Sequence, residues 1–69
     1  MEIGKIIASN IRAERNRCKL SQNEVCKILG ITNRTYIDYE EDASRIRVST
    51  LAKLSEIFNC KIDAFFMNL

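Results

Sequence analysis

In the stretch LGITNRTYIDYEE, Leu29 to Glu41, the residues Asn33, Arg34, Ile37 and Asp38 recur at steps of one, three and four. That spacing gathers side chains on one face of a helix. The face offers an amide, a guanidinium, an aliphatic group and a carboxylate. Such a set matches the edges of base pairs in the DNA major groove, which is wide enough for one helix and displays a distinct donor and acceptor pattern for each pair. Asn33 can pair with adenine, Arg34 can grip guanine through two parallel hydrogen bonds, Asp38 can accept from a cytosine amine, and Ile37 can touch a thymine methyl. Thr35, in the same polar first turn, is expected to meet phosphate.

Other chemistries are poorly supplied. The chain has no His, which weighs against general acid–base and triad catalysis. Its 3 cysteines, Cys18, Cys26 and Cys60, form no CxxC pair and are too few for a four-ligand zinc site. Cys26 and Cys60 stand beside apolar residues and are expected to be buried, reduced thiols. Neither an enzyme, a metal, a cofactor nor a small-molecule ligand is expected.

The elements that must position the quartet follow from patterning. With 69 residues, 46% hydrophobic and 29% charged, the chain reads as one domain over 1–69 with a small core. It has 2 Gly and no Pro, which favours short helices joined by tight turns. Ile3, Ile6, Ile7 and Ile11 predict a first helix over about residues 3 to 17. Ser21 and Glu24 form a capping box, with Leu20 and Val25 at the staple positions, for a second helix reaching about Leu29 with Val25, Ile28 and Leu29 inward. Gly30 stops it. Thr32 caps a third helix over about 33 to 40, in which Ile31, Thr35, Tyr36, Tyr39 and Glu40 form the stripe opposite the quartet. Residues 41 to 47 read as a loop. A fourth helix is predicted over about 48 to 58 and a short fifth over about 62 to 68, divided by Asn59-Cys60. The second and third helices with their Gly turn make a helix-turn-helix.

The string LSQNEVCKILGITNRTYIDYE resembles the helix-turn-helix of the phage repressor and Cro (XRE-like) family. IRAER, Ile11 to Arg15, is similar to that family's first-helix segment, and LAKLSEIFNCKIDAFF, Leu51 to Phe66, resembles its fourth helix, turn and fifth helix. The resemblance implies an all-α, compact five-helix, lambda-repressor-like domain that binds operator DNA as a two-fold dimer. It implies phosphate contacts from Gln22, Thr32 and the loop Ser44, Arg45 and Arg47, base-reading positions at Asn33, Arg34 and Asp38, and a buried Arg15–Glu40 pair. The chain departs from the pattern at Lys19, where Gly is common, and at Arg47, which replaces the usual capping Ser. It departs also in the acids Asp38, Glu40, Glu41 and Asp42, which crowd the end of the third helix.

Phe65, Phe66, Met67 and Leu69 exceed what so short a terminal helix can bury, so a homodimer contact is expected there. No run approaches the roughly 18 apolar residues of a membrane span, and the start of the chain lacks the apolar stretch of a signal peptide. A cytoplasmic protein is expected. The primary expectation is a DNA-binding transcriptional regulator of repressor or controller type acting on a pseudo-palindromic operator. The competing one is a protein-interaction module, antitoxin-like or partner-binding, that keeps the fold without binding DNA, and the acidic cluster is its support.

Overall fold

The computed structural model describes residues 2–69. Four α-helices, α1 (Ile3–Arg17), α2 (Gln22–Leu29), α3 (Asn33–Glu41) and α4 (Val48–Ile57), are followed by a 3-10 helix (Ile62–Phe66). The fold is all-α as expected, but its fifth element is a single 3-10 segment in place of an α-helix over 62 to 68. Five residues are too few to stabilise an α-helix by its own hydrogen bonds, and the segment is held by its packing instead. Among the described residues no helix is long and apolar enough to cross a membrane.

Local chemistry explains the boundaries. Ser21 Oγ accepts from the Glu24 amide at 3.0 Å, and Glu24 Oε1 accepts from the Ser21 amide at 2.9 Å, which closes the capping box of α2. Gly30 ends α2 at φ 73°, and the Ile31 amide reaches back to the Cys26 carbonyl at 3.1 Å. Thr32 Oγ1 accepts from the Thr35 amide and starts α3. Lys19 takes the left-handed conformation itself, at φ 58°. Its amide reaches Asn16 O at 3.0 Å and the Leu20 amide reaches Arg15 O at 3.2 Å, so α1 ends in a closed turn without glycine. Arg47 supplies no side-chain cap to α4.

The core contains Ile7, Ala8 and Ile11 of α1, Val25 and Cys26 of α2, Tyr36 of α3, Ala43 of the loop, Leu51, Leu54 and Phe58 from α4 and its end, and Phe65. α1 packs on α3 and on the 3-10 helix, α2 on α3, and α4 on the 3-10 helix. Phe58 and Phe65 meet edge to face, ring centroids 6.3 Å apart.

Two expectations about the core, for Ile28 and Cys60, need correction, and Ile3 of the α1 stripe is exposed as well. Ile3 is 58% and Ile28 61% exposed. Each lies at the edge of its apolar stripe, where the helix turns away from the neighbour it packs on. Cys60 is only half-buried, whereas Cys26 is in the core; all three cysteines are free thiols.

Candidate nucleic-acid interface

α3 is fixed from below. Tyr36 is fully buried and Glu40 is 2% exposed. Thr35, Tyr39 and Ile31 are half-buried along the same side. That anchoring leaves Asn33, Arg34 and Asp38 exposed on the other side, with Ile37 half-buried among them. The quartet therefore projects together from the solvent side of a helix whose opposite side is packed.

The anchor is ionic. Arg15 Nε donates to Glu40 Oε2 at 2.6 Å and its terminal nitrogen to Glu40 Oε1 at 3.1 Å, while the other terminal nitrogen reaches the Leu20 carbonyl at 2.9 Å. The Tyr36 hydroxyl donates to Glu40 Oε2, and Gln22 Nε2 donates to Glu40 Oε1 at 3.1 Å. One carboxylate thus joins α1, α2 and α3. Burial pushes the Glu40 carboxyl up, but the hydrogen bonds from Arg15, Tyr36 and Gln22 outweigh it and hold its pKa below the ordinary value. Burial, then the Glu40 hydrogen bond, push the Tyr36 phenol far above its usual range. No buried side-chain polar atom among the described residues lacks a partner.

Arg34 lies along α3. Its terminal nitrogen is 2.8 Å from Asp38 Oδ1 and 3.6 Å from Glu41 Oε1. Thr32 and Thr35 hydroxyls lie 2.8 Å apart and both sit at the start of the helix. Cys26 Sγ, buried beneath, is 3.7 Å from Asn33 Oδ1.

The loop after α3 runs beside this face. Thr35, Asp38, Tyr39, Asp42, Ser44 and Arg45 line one open depression of about 290 Å³. Asp42 Oδ1 accepts from the Ser44 amide at 2.9 Å, and this contact lowers the Asp42 pKa. Ala43 is buried and its amide donates to the Gly4 carbonyl at 2.9 Å. Arg45 and Arg47 are exposed.

Gly4 is the residue that sequence reading missed. A Cβ there would stand 2.1 Å from Asp42 Oδ1 and 2.8 Å from the Ser44 backbone nitrogen. The absence of a side chain lets α1 dock directly on the loop. A Gly in the first turn of a helix rich in Ile was the available signal. Gln22 also gains a part not foreseen: it is half-buried and bonded to Glu40, with the second hydrogen of its amide left for an outside acceptor.

At the other end, Phe65 is fully buried in its own molecule and is withdrawn from the expected dimer surface. It fills the space against Phe58 that the short 3-10 segment could not otherwise close. Phe66, Met67 and Leu69 remain exposed, at 39%, 60% and 52%. Asn10 Nδ2 ties this end to α1 through the Phe65 and Met67 carbonyls, at 2.9 and 2.8 Å.

Comparison with known proteins gives the family of the chain. Residues 11–65 match the helix-turn-helix family. The chain is 38% identical over 63 residues to the control protein C.SmaI of Serratia marcescens, covering 90% of this chain and 74% of that one. It is 33% identical over 60 residues to uncharacterized HTH-type transcriptional regulators of Sinorhizobium medicae and Rhizobium meliloti, covering 87% of this chain. It spans 43% of the length of those two relatives. No solved structure matches. With the capped α2, the Gly30 turn and α3 all inside the matched segment, the chain belongs to the Cro/C1-type helix-turn-helix family.

Proposed function

We propose that this protein is a sequence-specific, double-stranded DNA-binding transcriptional regulator of repressor or controller type, with α3 as the helix that enters the major groove. The observation that carries the reading is the outward quartet Asn33, Arg34, Ile37 and Asp38 on a helix anchored from behind by Tyr36 and Glu40. Asn33, Arg34, Ile37 and Asp38 read base edges. Gln22, Thr32, Thr35, Ser44, Arg45 and Arg47 hold phosphates. Gln22 does so at the positive end of α2, where free amides and the helix dipole favour an anion.

A homodimer completes the reader. The molecule measures 30 × 22 × 20 Å and carries one α3, so by itself it reaches one segment of major groove. Two copies related by a two-fold axis present two such helices, which on B-DNA fall about 34 Å apart on a pseudo-palindromic site. Phe66, Met67 and Leu69 are the surface for that contact. Regulation follows from occupancy, whether by covering a promoter or by presenting a surface to polymerase. Membership of this family and relatives named as transcriptional regulators and a control protein support the reading.

In vitro selection from random duplexes tests it. The expected outcome is a two-fold symmetric consensus bound with affinity that falls steeply with salt, as phosphate neutralisation requires. Absence of binding to any duplex at low salt would favour the protein-interaction module, to which the acids at the end of α3 are suited.

A further inference from the structure

On its outward face α3 sets one cation against two anions. Arg34, Asp38 and Glu41 are exposed, at 73%, 57% and 62%, whereas Glu40 is buried on Arg15. Both carboxylates point their oxygens at the one guanidinium, at 2.8 and 3.6 Å. Ion pairs this exposed add little to folding, so stability does not explain two acids around one arginine. Asp42 follows on the same edge, its carboxylate kept ionised by the Ser44 amide. A helix offered to a polyanion thus carries a net negative surface, and the positive charge it does carry is already occupied.

We propose that Asp38 and Glu41 are specificity-determining residues that withhold Arg34 from non-cognate DNA. The inference rests on α3 being the base-reading helix. On an arbitrary sequence Arg34 can only exchange a carboxylate for a phosphate, while the acids are brought toward other phosphates with nothing in return. On a matched sequence Arg34 finds both acceptors of a guanine and Asp38 finds a cytosine amine, so the repulsion is offset. The acids lower affinity for every duplex and lower it least for the right one. Discrimination grows by a repulsive element as well as an attractive one.

The test compares the full chain with Asp38→Asn, Glu41→Gln and a control, Glu56→Gln. Glu56 is an exposed acid on α4, outside α3 and its flanking loop, so each variant loses one negative charge. Affinity is titrated against salt for the selected site and for a random duplex of equal length. With Arg34 released to a phosphate, Asp38→Asn should bind the random duplex about five- to ten-fold more tightly near 0.1 M salt, and its salt slope should steepen by about 0.9. Its affinity for the selected site should not rise with it, so the ratio of the two falls by a similar factor. Glu41→Gln should move the ratio the same way but less, in keeping with its longer contact. Glu56→Gln should shift both duplexes together and leave the ratio alone. Equal shifts on both duplexes for Asp38→Asn and Glu41→Gln, matching Glu56→Gln, would overturn the proposal while leaving the DNA reading intact. A wild-type chain that binds neither duplex would remove both.

Discussion

At the scale of single residues, the decisive object is the Glu40 carboxylate with its donors Arg15, Tyr36 and Gln22. Removing one partner of a buried pair strands the other charge, so Glu40→Gln should cost about 3–5 kcal/mol. Glu41→Gln, on an exposed side chain, should stay within about 0.5 kcal/mol. Thermal melts of the two variants check this, and equal melting points would show that the Arg15 pair contributes nothing special. The sign of the pH dependence follows from the lowered Glu40 pKa. The stabilisation is complete above the unfolded carboxylate value of about 4.3 and is lost as pH falls through the lower, folded value. Acid titration of Glu40→Gln should accordingly lack part of the loss of stability that wild type shows below that pH. Base reading belongs to the same scale. Arg34→Ala should relax preference at one position of the selected site, with a cost of about 1–3 kcal/mol there. Arg45→Ala should weaken all duplexes alike and lessen the salt dependence. Selected sites unchanged by Arg34→Ala would exclude it from readout.

At the scale of elements, the turns and the loop decide how firmly α3 is presented. Lys19 sits at φ 58°, a region that costs an ordinary residue roughly 1–2 kcal/mol relative to glycine. Lys19→Gly should raise stability by about 1 kcal/mol, measurable as a shift of the urea midpoint at constant slope. Gly30, at φ 73° with open space where a Cβ would lie, should respond oppositely and for the same reason. Gly4 differs from both because its constraint is contact. Its missing side chain lets Asp42 and Ser44 rest against α1. Gly4→Ala should destabilise by about 1–3 kcal/mol through overpacking. It should also displace the loop that carries Ser44 and Arg45, so weaker phosphate contact should accompany the lower melting point. An unchanged melt and unchanged DNA affinity would show that the loop yields without consequence.

At the scale of the whole molecule, one small core, eleven residues among those described, supports the outward face of α3 on one side and an apolar end on another. Phe66, Met67 and Leu69 are all exposed and lie within four consecutive positions. On the dimer reading, Met67→Lys should lower the association measured by sedimentation equilibrium and weaken binding to a two-fold site. Binding to an isolated half-site should change little. A chain that sediments as a monomer throughout, yet protects both half-sites equally well, would sink the proposed contact.

The sequence by itself determined the helical elements, the capping box at Ser21 and Glu24, the stop at Gly30 and the two stripes of α3. Each of these is local: it depends on side chains within one or two helical turns, where spacing alone dictates which groups can meet. The Arg15–Glu40 pair was legible only through family resemblance, since 25 positions separate its members. Tertiary packing alone decided the rest. It exposed Ile3 and Ile28, drew Phe65 out of the supposed surface surplus, held the last segment as a 3-10 helix, turned Gln22 toward Glu40 and set Gly4 against the loop. Those outcomes depend on which surface another element happens to cover, and that is a property of the assembled volume rather than of any short run of residues.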